Sequence, residues 1–217
     1  MPLIRLINPN RTASCTDALD RAAAPFRLPG VEIVAETVAD GPTSIASMED
    51  YARAHGPLLD HLRAGEIQAD AVVIACFSDP ALSAAREVTG LPCVGLGEAG
   101  MTAALARGLR FGIVALAEAS VERQRRRVSE LGMQARYAGS RPVSLSVPEL
   151  ADAGRTVDAM IQAGRTLVET DGADVVVMGC AGMADYRDRL EADIGSPVVE
   201  PGQAAVGAAL AAALQGW

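Results

Sequence analysis

ADAVVIACFSDP, residues 69–80, places five apolar residues in a row, Ala71 to Ala75, directly before Cys76. Phe77, Ser78, Asp79 and Pro80 follow. A short unbroken apolar run, bounded by charge on one side and turn chemistry on the other, is the pattern of a strand buried on both faces. Asp79 before Pro80 predicts a helix start: a side-chain acceptor for unbonded amides, then a residue whose φ is already helical. Cys76 is therefore expected where a buried parallel strand ends and a helix begins, which is where open α/β sheets bind ligands.

The chain contains this pattern twice. Residues 173–183 read ADVVVMGCAGM; Ala173-Asp174 lies 104 positions after Ala69-Asp70, and Cys180 lies 104 positions after Cys76. Pro92 in LPCVGLGEAG pairs with Pro197 in SPVVEPGQAA at a spacing of 105, and IRLINPN near residue 4 has a rough counterpart in RFGIVALAE near residue 110. This is one half-domain written twice. Two such halves facing each other put Cys76 and Cys180 on opposite walls of one cleft.

Composition bounds the alternatives. The chain has 217 residues, half of them hydrophobic and 3% aromatic, enough for a substantial core in one domain or two small ones. A formal net charge of −8 argues against a nucleic-acid backbone as partner. The opening MPLIRLINPN has no long apolar core behind basic residues, so no signal peptide is expected. No apolar run approaches the roughly 18 residues that a bilayer requires. A cytoplasmic protein without a membrane partner is the expectation, and its four cysteines are expected to be thiols rather than a disulfide framework.

Along the chain, strands alternate with helical segments. Leu3 to Ile7 reads as a strand broken by Asn8-Pro9-Asn10, so Asn10 lies in a loop at a strand's carboxyl end. A helix is expected from about Cys15 to Ala24, a strand from Val31 to Val38, and a helix from Met48 to Ala64 capped by Ser44 or Ser47. After the strand ending at Cys76 come a helix from Pro80 to Val88, a strand from Pro92 to Leu96 and a helix from Glu98 to Arg107. The second half gives a strand Arg110 to Leu116, a helix Ser120 to Leu131, a short strand Gln134 to Tyr137, and a loop Ser140 to Val147. A long helix Pro148 to Thr170 follows, with Val157, Met160, Ile161 and Leu167 inward. The strand Val175 to Met178, the strand Pro197 to Val199 and a helix Ala204 to Leu214 complete the set. The alternation predicts an α/β fold of two pseudosymmetric parallel-sheet lobes, residues 1–96 with 204–217 and residues 97–203, with the active site in the cleft between them.

Two cysteines at equivalent strand ends form a candidate acid–base pair. A thiolate removes a proton from a carbon acid on one face and the opposite thiol returns one to the other, which inverts a stereocentre with no metal or organic cofactor. The thiol pKa of about 8.5 must fall to make a useful thiolate, and helix N-termini and free amides lower it. Free cysteine is also a common small buried residue, but two at one repeat position beside turn-forming residues favour chemistry. Cys15, on the first helix, and Cys93, within a strand, have no such equivalence and read as structural. His55 and His61 are six apart on one helix, on different faces, and with no CxxC or HExxH no metal site is expected. Arg123 to Arg127, flanked by Glu122 and Glu130, reads as a solvated helix face. Asp79 reads as a cap, Glu98 as a cap of a cleft loop or a surface residue, and the glycines at 95–100 do not spell a dinucleotide fingerprint.

INPN (residues 7–10), GPTSI (41–45), ACFSDP (75–80), AARE (84–87), EAGM (98–101) and GCAGM (179–183) span the chain nearly end to end. Together with the paired cysteine they resemble the Asp/Glu/hydantoin racemase superfamily, and within it the hydantoin and allantoin racemase branch. The resemblance implies two pseudosymmetric α/β domains, cofactor-independent two-thiol chemistry by Cys76 and Cys180 at an interdomain site, a small-molecule substrate and a homo-oligomer. It implies a pocket of Asn10, Ser44, Ile45, Phe77, Ser78, Met101, Ala181 and Gly182.

Members of the superfamily that act on free aspartate or glutamate follow the first cysteine with Asn-Thr and the second with Thr, whose polar groups hold an α-carboxylate. Here Phe77-Ser78 and Ala181-Gly182 stand there. A flat neutral ureide suits Phe77, Ile45 and Met101 better, with backbone amides and Asn10 bonding its carbonyls. Arylmalonate decarboxylases keep only the second cysteine. Two positions depart from the branch: Arg11 follows NPN in place of Thr, and Ser78 replaces a Gly. Arg11 is expected to point to solvent; turned inward, it favours the alternative of an aspartate/glutamate or other carboxylate racemase. A non-catalytic small-ligand binding module of duplicated lobes is the alternative from another class.

Overall fold

The computed structural model describes residues 1–64, 68–146 and 148–216. The chain divides into two α/β units, Met1–Ala99 with Gly202–Trp217, and Gly100–Pro201. The first holds β1 (Leu3–Asn8), β2 (Glu32–Thr37), β3 (Ala71–Ile74) and β4 (Cys93–Gly95), in the order β2-β1-β3-β4. The second holds β5 (Phe111–Ala115), β6 (Tyr137–Pro142), β7 (Val175–Met178) and β8 (Val198–Val199), in the order β6-β5-β7-β8. Among the described residues all six strand pairings are parallel. The two sheets thus share one topology, as the duplicated pattern predicts. The helices are α1 (Ala13–Ala22), α2 (Met48–Arg63), α3 (Leu82–Thr89), α4 (Leu96–Ala104), α5 (Glu118–Glu130), α6 (Ala153–Arg165), α7 (Arg187–Ile194) and α8 (Pro201–Gln215). Among the described residues no helix is long and apolar enough to cross a membrane.

The repeat extends to individual hydrogen bonds. Asp70 accepts the Leu3 amide at 2.7 Å, and its counterpart Asp174 accepts the Leu109 and Arg110 amides at 3.0 and 2.9 Å. Val72 and Val176 donate to the Pro92 and Pro197 carbonyls, each at 2.9 Å. Beyond the strands, Ala75 donates to the Ile7 carbonyl at 2.9 Å and Gly179 to the Val114 carbonyl at 2.8 Å. Both apolar strands therefore stay bonded to their inner neighbours almost up to the cysteine. AVVI of β3 and VVVM of β7 are fully buried, since helices cover both faces of a parallel sheet. In the first unit Ile74, Val72, Leu58, Leu62 and Leu82 share a core; in the second Val176, Met178, Met160, Leu167 and Leu190 do. α8 brings Ala205, Val206, Ala209 and Ala212 into burial, and Gly207 abuts the Phe26 ring.

Several elements differ from expectation, each for a local reason. The helix expected at Pro80 begins at Leu82, because Asp79 (φ 47°) and Ala81 (φ 54°) are left-handed and the chain turns twice before it can wind. The strand expected at 134–137 is a 3₁₀ turn, Gln134–Arg136, and β6 occupies part of the expected loop. YAGSRP lacks apolar alternation because β6 is an edge strand, where polar side chains and a terminal proline are tolerated. The long helix is segmented into a 3₁₀ turn (Pro148–Ala151), α6 capped by Asp152, and a π-helical turn (Thr166–Thr170). Its inward residues are Thr156, Met160, Ala163, Gly164 and Leu167, while Val157 and Ile161 are half-buried. α7 has no periodic signal in the sequence, because RDRLEADI buries only Leu190. α2 begins as expected at Ser47, in a reciprocal capping box with Asp50.

Candidate active site

In the first unit the candidate residues occupy three loops that leave the carboxyl ends of neighbouring strands. Asn10 follows β1, Ser44 and Ile45 follow β2, and Cys76, Phe77 and Ser78 follow β3. The chain order reverses between β2 and β3 on either side of β1, the kind of switch point where α/β sheets bind ligands. Asn8, expected only as part of the break after the first strand, organises the first loop. Its buried side chain donates to Asn10 Oδ1 (3.3 Å), the Thr12 carbonyl (3.2 Å) and Thr16 Oγ1 (3.0 Å), and accepts the Asn10 amide at 3.1 Å. Asn10 Oδ1 in turn accepts the Thr12 amide at 2.9 Å. The signal was present in the doubled Asn of NPN, since asparagine bonds its own backbone neighbourhood in turns.

The loop after β1 is bound to the loop after β2. Thr12 Oγ1 donates to the Thr43 carbonyl at 2.6 Å and the Arg11 amide to the Pro42 carbonyl at 3.0 Å. The Arg11 side chain is exposed and donates to Thr43 Oγ1 from Nη2 at 2.9 Å and from Nε at 3.2 Å. Gly41 is required here, because a Cβ would collide with the Pro9 carbonyl. Asn10, Ser44 and Ile45 are half-buried on this joined surface.

Cys76 is half-buried and opens a tight turn closed by the Asp79 amide on the Cys76 carbonyl at 2.9 Å. Phe77 is buried, Ser78 half-buried, and Asp79 only 4% exposed. Two non-glycine left-handed residues, one on each side of Pro80, are costly backbone, a form of strain that collects at working sites. The Asp79 carboxylate does not cap α3. It accepts the Gly97 and Glu98 amides at 2.8 and 2.9 Å, in the first turn of α4.

In the second unit Cys180 is half-buried, extended (φ −153°, ψ 134°), and caps a 3₁₀ turn, Ala181–Tyr186, by accepting the Met183 amide at 3.1 Å. Ala181 and Gly182 are half-buried in its first turn, where amides lack intrahelical partners. A Cβ on Gly182 would lie 2.9 Å from Leu150 Cδ1 and 3.8 Å from Cys180 Sγ, so this glycine keeps the sulfur's surroundings open. Met101, on α4, is fully buried, so any part it has in a pocket is as backing rather than surface.

The other cysteines differ in kind. All four are thiols rather than disulfide partners. Burial pushes the Cys15 thiol up, against a lowering hydrogen bond with Asn10, and burial likewise pushes Cys93 up, against hydrogen bonding with Thr89. Cys93 Sγ lies 3.3 Å from Thr89 Oγ1 inside the first core. His61 bonds Glu36 at 3.0 Å and His55 the Tyr51 carbonyl at 2.7 Å. Among the described residues no group of three His, Cys, Asp or Glu is arranged to hold a metal ion. On α5, Arg125 and Arg126 pair with Glu122 and Arg127 with Glu130, while Arg123 donates to the Ala119 carbonyl and Ser120 Oγ.

Residues 4–209 match the profile of the Asp/Glu/Hydantoin racemase family. A hydantoin racemase from Pseudomonas sp. (strain NS671) is 35% identical over 199 residues, covering 91% of this chain and 80% of its own. One from Rhizobium meliloti is 35% identical over 205 residues, covering 94% and 85%. The structure of an allantoin racemase from Klebsiella pneumoniae superposes with a TM-score of 0.94 at 32% identity, covering 100% of this chain and 89% of its own. In sequence and in fold, the chain belongs to the Asp/Glu/hydantoin racemase family and is an isomerase, a racemase.

Proposed function

We propose that the chain racemises a 5-substituted hydantoin or an allantoin-like cyclic ureide at its α-carbon, without a cofactor, through the thiols of Cys76 and Cys180. One observation carries the mechanism: two cysteines at one repeat position end equivalent buried strands, β3 and β7, in sheets of identical order. The substrate class is supported by the names of the relatives, hydantoin racemases and an allantoin racemase, and by apolar or small residues after each cysteine.

In the proposed reaction one sulfur, as thiolate, takes the proton from the carbon between the ring carbonyl and nitrogen. The electron pair delocalises into the carbonyl. The other sulfur, as thiol, gives its proton to the opposite face, and the pair ends with its charge exchanged, ready for the other enantiomer. The carbonyl oxygens take hydrogen bonds from Asn10 and from the amides of Ala181 and Gly182. Ser44 and Ser78 offer hydroxyls, Phe77 and Ile45 lie against the ring, and Met101 contributes from the interior rather than at the surface. A homo-oligomeric state is part of the proposal and is read by light scattering.

The test is deuterium wash-in. With 5-substituted hydantoins or allantoin in D₂O, the α-hydrogen should exchange as optical rotation decays. Cys76→Ser and Cys180→Ser should each lower racemisation by about 10²–10⁴-fold, the usual worth of a matched acid–base group. Full activity in either variant overturns the two-thiol mechanism. Turnover of aspartate or glutamate instead of ureides overturns the substrate class, and binding without exchange overturns the catalytic assignment.

A further inference from the structure

The geometry points to Asp79 as the positioning residue that fixes the Cys76 turn, and so governs one of the two proton transfers and not the other. The inference rests on Cys76 acting as proposed above. Asp79 binds the turn at both ends: its amide donates to the Cys76 carbonyl at 2.9 Å, and its carboxylate takes the Gly97 and Glu98 amides at 2.8 and 2.9 Å. Charge-assisted bonds to amides at a helix start are among the stronger polar contacts, and the helix dipole adds to them. The carboxylate is buried, at 4% exposure, and held in a left-handed backbone, so little freedom is left to the residues between it and Cys76.

The seat of the turn is cut to fit. A Cβ on Gly95 would stand 2.5 Å from the Asp79 carboxyl carbon and Oδ1. One on Gly97 would strike the Phe77 carbonyl and come 3.2 Å from Asp79 Oδ2. Arg86 braces the same junction, donating to the Cys93 carbonyl at 3.0 Å and to Glu98 at 3.2 Å. The second unit closes the equivalent turn without a carboxylate at this position: 104 positions after Asp79 stands Met183, fully buried and apolar, whose amide donates to the Cys180 carbonyl at 3.1 Å. At this repeat position the carboxylate stands on the Cys76 side alone, so its loss should be felt at one sulfur.

Asp79→Asn keeps the size and one acceptor but removes the charge and one amide bond. Two readouts separate positioning from general loosening. First, peptide mass spectrometry follows iodoacetamide alkylation of the folded protein at neutral pH. With a hydrogen bond's worth of restraint on the turn removed, Cys76 should react about 5-fold faster while Cys180 stays within about 2-fold of the parent. Second, racemisation of each α-deuterated enantiomer is compared with the protiated one. The substrate isotope effect should rise for the enantiomer deprotonated by Cys76 and fall for its mirror image, whose solvent isotope effect rises instead. Equal changes at both thiols, or isotope effects unchanged in both directions, overturn the inference. Where Asp79→Asn does not accumulate folded, Asp79→Glu shifts the same carboxylate by one methylene and should give the same one-sided pattern. The alkylation result needs no activity: one-sided labelling in a protein that racemises no ureide removes the proposed function and leaves the positioning role of Asp79. Ureide racemisation with unaltered Cys76 labelling and isotope effects does the reverse.

Discussion

Gly179→Ala adds one methyl group where the structure has no place for it. The Cβ would stand 2.6 Å from the Val114 carbonyl oxygen, 2.8 Å from Gln124 Nε2 and 3.1 Å from Ile113 Cγ2. None of these neighbours gives way easily: Val114 and Ile113 are fully buried in β5, and Gln124 is 6% exposed. The Val114 carbonyl is also the acceptor of the Gly179 amide at 2.8 Å, so relief of the clash means breaking that bond. Overpacking costs about 1–3 kcal/mol, and a buried amide left unpaired costs about 1–3 kcal/mol. One displacement causes both, so they do not add in full, and the loss should be about 2–4 kcal/mol. Urea unfolding should show the midpoint falling at constant slope. Gly154→Ala in α6 is the comparison, since its Cβ would meet only Asp152 Oδ1 at 3.8 Å; it should be neutral or stabilising by up to about 1 kcal/mol. Because Gly179 adjoins Cys180, the folded variant should also racemise about 10²-fold more slowly, the effect of an ångström-scale misplacement. A loss under about 0.5 kcal/mol, the range of an ordinary surface substitution, with parental racemisation would refute the reasoning.

Ser47→Ala removes one half of the capping box with Asp50 and should cost about 1 kcal/mol, read from urea midpoints. Burial works against the Glu36 charge, but hydrogen bonds from Arg5 and His61 outweigh it and hold the carboxyl below its usual range. A lowered folded pKa gives stability that is present above the ordinary glutamate pKa and lost as pH falls through the lowered one. Glu36→Gln should therefore flatten the acid side of the stability–pH curve, and an unchanged acid slope would count against it. Cys93, buried with its thiol pushed up, should resist iodoacetamide in the folded protein at neutral pH and react once urea unfolds it; native labelling at the rate of free cysteine contradicts that.

What was legible in the sequence was what repeats or runs apolar. The strands before Cys76 and Cys180 stood out because a strand covered on both faces cannot contain polar residues, and the shared spacing announced matching sheets. Ser47 was legible as a cap because the box is local, three residues long. Elements held by distant partners were not. Asp79 carries a cap's chemistry, but its amides lie 18 and 19 residues away, on a helix that no spacing rule connects to it. β6 hid because an edge strand needs one bonded neighbour and little burial, and α7 hid because a single leucine anchors it. Of the pocket candidates, Phe77 and Met101 are apolar residues whose type suits a core as well as a ligand, and both are buried.

The first unit is discontinuous: its chain leaves after Ala99 and resumes at Gly202, where α8 fills the ground beside Phe26. During synthesis, then, the strands that emerge first must wait for the helix that emerges last, while the uninterrupted stretch from Gly100 to Pro201 has all its parts earlier. The first sheet has all four strands by Gly95, yet the unit around it is complete only when α8 arrives.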